Sequence, residues 1–338
     1  MIVEINDKEF CDRIRKSPRL NELYDHFERI ANGSTQVPYK VPKTNKTYLR
    51  KDCDYIRHEK IFKKNLCTFL KHGISSIPYL AEEFLRVDKA LLDYANFKGS
   101  TQEAPLTYWE TSSADGTRAR TLAEYTSGKY ITLTDSPNLG NKEAFDNSPY
   151  HPNSFFYHGV FIDICPKFLK SQTFHPAFKD GFDVIWENTT FQMYGNNRVE
   201  QIGYISQCLK PDGLLLLFEK LNANNTDDYL KMEKIKDKFK AKYFKLDQIK
   251  NKKENILNTM ENGQVTKVQL IEATSKYYEY GALIWNSANF YEIVASNSKE
   301  NIEHFLNLLP KPYVPKKFIL ENQMVSCLWG DISLNSNK

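Results

Sequence analysis

Residues 106–123 read Leu-Thr-Tyr-Trp-Glu-Thr-Ser-Ser-Ala-Asp-Gly-Thr-Arg-Ala-Arg-Thr-Leu-Ala. A short apolar run ends in an acid, Glu110. Thr111 follows, and small residues then take alternate positions at Ser112, Ala114 and Gly116, with Ser113 and Asp115 between them. A helix is predicted from Thr117. Small side chains allow a tight turn whose backbone approaches a ligand closely. The first turn of the helix would offer N–H groups to an anionic ligand group. Asp135 ends a second apolar run and is followed by Ser136. An acid at about this interval after the glycine is placed to accept both hydroxyls of a ribose. Asp163 and Ile164 close a third run, and Glu187 and Asn188 a fourth. In a doubly wound sheet, ligands bind outside the carboxyl ends of the strands. The residues at these ends are therefore the candidates for chemistry.

The stretch Glu110–Gly116 resembles motif I of the class I S-adenosylmethionine-dependent methyltransferases, an acid followed by G-x-G-x-G. Ser112 and Ala114 stand in place of two of the glycines. The segment Phe182-Asp183-Val184-Ile185 resembles that family's fourth strand. Leu209-Lys210-Pro211-Asp212-Gly213-Leu214 through Glu219 resembles the L-x-P-G-G-x-L-h-h-x-E pattern before its fifth. The resemblance covers roughly residues 100 to 300. It implies S-adenosyl-L-methionine as cofactor and S-adenosyl-L-homocysteine as product. Glu110 would then organise the loop and contact the methionine end, with the turn from Thr111 through Ser112, Ser113 and Ala114 to Gly116 beneath the cofactor. Asp135, with Ser136, would hold the ribose. Asp163 would accept from the adenine amino group, and Ile164 would pack on the ring. Glu187 would face the sulfonium, and Glu187, Asn188 and Tyr194 would lie nearest the acceptor. The tetrapeptide Glu187-Asn188-Thr189-Thr190 does not match the D/N-P-P-Y/F motif of amino-group DNA methyltransferases, which argues against base methylation. His158 and His175 could serve as general bases; a surface or packed role is the simpler reading.

The elements that must position these residues follow from hydrophobic pattern. The predicted strands are Leu106–Glu110, Tyr130–Thr134, Gly159–Ile162, Phe182–Glu187 and Leu214–Glu219. Most lack polar alternation, as strands buried on both faces of a parallel sheet do. Two further runs, Ala282–Trp285 and Phe290–Ala295, predict an antiparallel hairpin joined by Asn286–Asn289. The expected fold is α/β: a doubly wound, mostly parallel, seven-stranded sheet with an antiparallel C-terminal hairpin and an N-terminal helical extension. Upstream, Leu80, Phe84, Val87 and Leu91 repeat at helical spacing after Pro78, read as a first-turn proline. A helix broken near Ser17-Pro18 is expected between Asp7 and Asn32, and a loop over 33–47. Residues 1–100 are read as a helical lid or substrate region and 101–300 as the cofactor-binding core, with a Lys-rich helical insertion over about 226–275. Residues 301–338 are read as a C-terminal helix and tail.

Composition narrows the classes. The 338 residues are 41% hydrophobic and 26% charged, ordinary globular usage. The longest apolar run, Leu214–Phe218, is far too short to span a bilayer. No membrane partner and a cytoplasmic location are expected. The six cysteines include no C-x-x-C pair and are expected to be reduced thiols; no metal ligand set is expected. Net charge is only +4, yet Lys40–Lys71 and Lys231–Lys253 each carry ten basic and three acidic residues. Lys234, Lys238 and Lys242, at helical spacing, are expected to form a solvated face. Tyr48, Tyr55 and Phe62 interleave with the first stretch, and aromatics among cations can stack nucleic-acid bases. Three readings stay open: methyl transfer to a small molecule or protein side chain; methyl transfer to RNA or DNA through the two basic stretches; and an NAD(P)-binding Rossmann protein or non-catalytic nucleotide-binding module.

Overall fold

A computed structural model of the chain describes residues 7–112, 114–171 and 175–334. Six helices precede the first strand: α1 Asp7–Arg15, α2 Tyr24–Ala31, α3 Lys46–Leu49, α4 Cys53–Asn65, α5 Thr68–Ser76 and α6 Leu80–Phe97. Strands and helices then alternate: β1 Leu106–Thr111, α7 Thr117–Tyr125, β2 Tyr130–Ser136, α8 Leu139–Asp146, β3 Ser154–His158, α9 Pro166–Leu169, β4 Phe182–Asn188, α10 Arg198–Ser206 and β5 Leu209–Lys220. The Lys-rich segment forms α11 Thr226–Lys240, α12 Leu246–Lys252, a π-turn over Lys253–Leu257, α13 Asn258–Glu261 and α14 Lys267–Thr274. The chain ends with β6 Tyr280–Ser287, β7 Phe290–Ser296, α15 Lys299–Leu308 and β8 Ser326–Trp329.

The described strands make one sheet in the order β3-β2-β1-β4-β5-β7-β6-β8. The first five run parallel, and β7 is antiparallel to both β5 and β6. Successive side chains of a strand point to opposite faces, and here they feed two separate cores. Trp109, Ile185, Leu215 and Leu217 pack beneath α1, α2, α10 and α14. Tyr108, Val184, Trp186, Leu214, Leu216 and Phe218 pack beneath α6, α7 and α15. Burial on both faces is why these strands read as unbroken apolar runs.

Five expectations are corrected. The third strand is Ser154–His158, not Gly159–Ile162; the chain leaves the sheet at Gly159, and Phe161–Asp163 is a 3₁₀ turn. Its apolar residues serve the core instead: Phe161 packs against Phe10, Phe191 and Tyr194. An apolar run without periodicity does not separate a strand from a buried turn. The sheet has an eighth described strand, because β8 pairs antiparallel with β6, and the Trp329 ring occupies the space a side chain on Gly281 would fill. The hairpin turn is shorter than expected, Ala288-Asn289. Pro78 precedes the cap of α6, Tyr79, and the expected loop over 33–47 gives way to α3 at Lys46.

One buried ion pair secures the end of β5. Arg198 of α10 holds Glu219 through two hydrogen bonds, at 2.6 and 3.1 Å, and also donates to Gly195 and Gly263 carbonyls. Both side chains are buried. Removing the cation would leave the Glu219 carboxylate unpaired beside Glu187, which already repels it. Arg198→Met is expected to cost about 3–5 kcal/mol in urea unfolding; a loss below about 1 kcal/mol would show that the pair does not hold this edge.

Candidate functional site

β1 ends in Glu110 and Thr111, and the chain then turns sharply. Ser112, Ala114 and Gly116 all adopt positive φ, at 42°, 82° and 68°. That region is costly for any residue with a Cβ, by about 1–2 kcal/mol. The backbone therefore takes the glycine conformation at all three small positions, although two are not glycine. Gly116 has a second reason to lack a side chain: an added Cβ would lie 2.6 Å from the Phe145 ring of α8. Ser113 lies outside the described residues.

Asp135, next to the end of β2, holds this turn. Its buried carboxylate accepts from Ser112 N–H at 2.9 Å, Ser112 Oγ at 2.9 Å and Trp109 Nε1 at 2.8 Å. Burial pushes its pKa up to about 7 despite these bonds. Ser136 Oγ instead accepts from Asn138 N–H and Asn141 at the start of α8. The first N–H of α7 is taken from within the protein rather than left for an anion. The Asp115 carboxylate accepts from Thr117 N–H at 3.0 Å and from Leu70 N–H at 3.0 Å.

The structure brings only some of the sequence candidates together. Asn188 joins β4 to β1 by donating to Glu110 Oε1 at 3.1 Å. Thr111 offers its carbonyl to Thr190 Oγ1 at 2.8 Å. Glu187 faces the turn after β4, where it accepts from Phe191 N–H at 3.0 Å and from Thr190 N–H. Burial and the nearby Glu219 carboxylate push the Glu187 pKa well up. Asp163 ends the 3₁₀ turn rather than a strand; it pairs with Arg15 of α1 at 3.0 Å and accepts from Val160 N–H. Ile164 is core. Tyr194 is buried beside Ser112 and Arg19. His158 contacts the Pro137 carbonyl and His175 caps Ala177, so neither faces the cavity described next.

That cavity lies at the carboxyl ends of β1, β4 and β5, where the strand order reverses. It holds about 970 Å³ of free space, counting the part open to solvent. Ser112, Ala114, Asn188 and Thr189 form its sheet side. Thr189 also has positive φ, at 52°; strained backbone of this kind gathers at binding sites. Lys220 at the end of β5 and Arg19, His72, Lys236, Lys240 and Lys252 from the helical segments also line it. Arg19 is buried with Nε and Nη1 lacking a hydrogen-bond partner among the described residues. Burial and mutual repulsion hold Lys236 and Lys240 down at about 8, and Lys252 well below the ordinary lysine value.

Sequence reasoning placed Lys234, Lys238 and Lys242 on a solvated face, and they are exposed. It missed that Lys236 and Lys240 take the other face of α11. The signal was present: Tyr229, Glu233, Lys236 and Lys240 recur at spacings of four, three and four. Tyr48, Tyr55 and Phe62 are buried core and offer no stacking surface. All six cysteines are free. Among the described residues there is no metal-ligating cluster and no helix long and apolar enough to cross a membrane.

Two outcomes test this geometry. Ala114→Gly relieves the positive-φ strain but frees the unfolded chain, so a net gain of roughly 0.5–1 kcal/mol is expected in urea unfolding; a loss would mean the Ala114 methyl is needed in place. Asp135 sets a pH trend. Unfolded, it titrates near ~4; folded, near 7. Over that window the unfolded chain releases a proton that the folded chain keeps, so stability falls as pH rises and levels off above about 7. Glu82, also raised by burial to about 7, contributes in the same sense. Asp135→Asn is expected to remove part of this slope in midpoints measured from pH 4 to 8; an unchanged slope would exclude Asp135 as a source.

No protein-family model matches the sequence, and no curated protein matches it. Solved structures with a similar fold include the plantazolicin methyltransferase BpumL in complex with S-adenosylhomocysteine, at 9% identity and a TM-score of 0.42, over 86% of this chain and 100% of that one. The cyclopropane synthase MmaA2 from Mycobacterium tuberculosis is 13% identical with a TM-score of 0.36, over 65% of this chain and 66% of that one. A methyltransferase from Geobacter sulfurreducens, in complex with S-adenosyl-L-homocysteine, is 14% identical with a TM-score of 0.31, over 43% and 54%. By its own strand order, with five parallel strands followed by an antiparallel β7 between β5 and β6, this chain has the Rossmann-like fold of the class I S-adenosylmethionine-dependent methyltransferases.

Proposed function

We propose that the chain transfers a methyl group from S-adenosylmethionine to a small molecule or a protein side chain. One observation carries the reading: the turn after β1 holds Ser112, Ala114 and Gly116 at positive φ at the switch point of the sheet. The residues present fit such a cofactor. The turn brings backbone, not bulk, to the cavity. Asp135, buried behind Ser112 and outside the cavity lining, would reach a ribose by exchanging Ser112 Oγ for a hydroxyl. Arg19 has two buried donors without partners among the described residues, suited to a carboxylate. When bound, the cofactor supplies an electrophilic methyl group on a sulfonium.

The chain's own residues then have defined tasks. Asn188 ties Glu110 to the β4 end and so fixes the distance between cofactor loop and acceptor side. Glu187 shapes the turn that presents Thr189 and Gln192 to the cavity. Leu70, Ile77 and Leu80 of the N-terminal region, with Phe27 of α2, supply apolar cover that limits water. Alignment and desolvation are the contributions this geometry supports, rather than a fixed general base.

The competing readings fit less well. A dinucleotide pyrophosphate would sit at the α7 N-terminus, where the Asp115 carboxylate already takes Thr117 N–H. A nucleic-acid groove would need stacking aromatics among its exposed lysines; Tyr48, Tyr55 and Phe62, which interleave with the first basic stretch, are buried.

Titration calorimetry with S-adenosylhomocysteine is expected to give saturable binding, with no heat from NAD. Asp135→Asn, which keeps an acceptor oxygen for Ser112 N–H, should weaken it at least about tenfold, the scale of a charge-assisted hydrogen bond. Absence of S-adenosylhomocysteine binding to the wild-type protein would end this reading.

A further inference from the structure

The cavity carries more positive charge than the cofactor reading uses. Arg19 suffices for a single cofactor carboxylate. Four lysines remain, Lys220 of β5, Lys236 and Lys240 of α11, and Lys252 of α12, and all four side chains are buried. Among the described residues no carboxylate lines the cavity. Glu233 lies behind it and pairs with Lys220 at 2.9 Å and Lys236 at 2.5 Å, while also accepting from Asn289 at 2.7 Å. Lys252 meets His72 Nε2 at 2.7 Å. His72 Nδ1 lies 2.9 Å from the Gln36 carbonyl, so Nδ1 carries the proton and Nε2 accepts from the lysine. His72 is thus neutral and offsets no charge. The Lys240 ammonium makes no hydrogen bond or ion pair with a described residue, and Asp237 on the same helix forms no ion pair there.

Four ammonium groups therefore share one ion-paired carboxylate, with Asp237 acting on Lys236 and Lys240 only from beyond ion-pair distance. Burying unpaired cations side by side is strongly unfavourable. Such an arrangement makes physical sense where a ligand brings the missing negative charge. The lysines lie inside the protein, out of reach of a duplex backbone, so the ligand must enter the cavity. They would also repel a sulfonium, and a polyanion bound among them would screen that repulsion.

Resting on the methyl-transfer reading above, we propose that this cavity binds the methyl acceptor, and that the acceptor is a small molecule bearing at least two negative charges as phosphate or carboxylate groups. Lys240 and Lys252 are its principal anchors, because neither is held by a carboxylate. Lys220 and Lys236, shared with Glu233, complete the charged wall.

The test uses the full chain at constant ionic strength, with pyrophosphate and citrate as probes for the phosphate and carboxylate sources. At least one is expected to bind and raise the melting temperature, whereas sodium chloride at equal ionic strength does not. Lys240→Met and Lys252→Met should each weaken that binding roughly tenfold or more, the scale of one charge-assisted hydrogen bond. Lys240→Met should also raise the melting temperature of the ligand-free protein, since it removes an unpaired buried cation; a purely structural lysine would do the reverse. Binding of neither probe, equal binding by wild type and both variants, or a lower ligand-free melting temperature in Lys240→Met would overturn the proposal. So would displacement of the probe by a short single-stranded RNA, which would make the occupant a nucleic acid. S-adenosylhomocysteine binding is measured alongside: its failure with the anion results intact would remove the methyl-transfer reading and leave an anion site.

Discussion

A buried carboxylate must be fully satisfied or it destabilises the fold, and the Asp135 carboxylate is satisfied by only one path of the chain. Its partners are the Trp109 ring, still within β1, and the N–H and hydroxyl of Ser112, the first residue beyond that strand. To deliver both Ser112 donors to the end of β2, the backbone must double back as soon as β1 ends. That requirement accounts for positive φ at a serine and for the turn that follows. The turn delivers Gly116 against Phe145 and starts α7, whose first N–H is closed by Asp115. Strand, turn and helix are thus tied together, and Ser112 and Ala114 of the turn line the cavity.

The other side of the cavity depends on the two-residue period of β5. Glu219 and Lys220 are neighbours in sequence and point to opposite sides. Glu219 turns to Arg198 and locks α10 to the sheet, while Lys220 turns to Glu233 and the cavity. Helix α11 then contributes Lys236 and Lys240 one turn apart on the face that packs inward. A buried lysine surplus of this kind weakens the empty protein. Together with the strained turn, it places the least comfortable parts of the molecule around one space, as expected where binding rather than stability has shaped the choice of residue.

Glu187, Asp163 and Ser136 show how strand-end residues divide between binding and architecture. All three occupy positions where a ligand contact was expected, and in the structure all three spend acceptor atoms on nearby backbone or side-chain donors. Asn188 differs: it bridges to Glu110 and still lines the cavity. Adjacent positions at one strand end therefore do different work, and the pleat decides which faces the ligand.

The sequence by itself determined the local and periodic features. Apolar runs at Leu106, Tyr130, Phe182 and Leu214 became strands because their residues suit burial on both faces. The Leu80–Leu91 repeat became a helix because its apolar spacing matches 3.6 residues per turn. The small residues at 112, 114 and 116 announced a turn that only small side chains tolerate. Tertiary structure decided what depends on distant partners. Val160–Ile162 is as apolar as a strand, yet it caps the core formed with Phe10 of α1. The β8 strand exists because Trp329 finds room over Gly281. Lys252 faces inward only because His72, 180 residues away in the chain, is there to meet it. Periodicity records which face of an element is apolar, but the burial of a charge is settled by groups that folding brings from elsewhere.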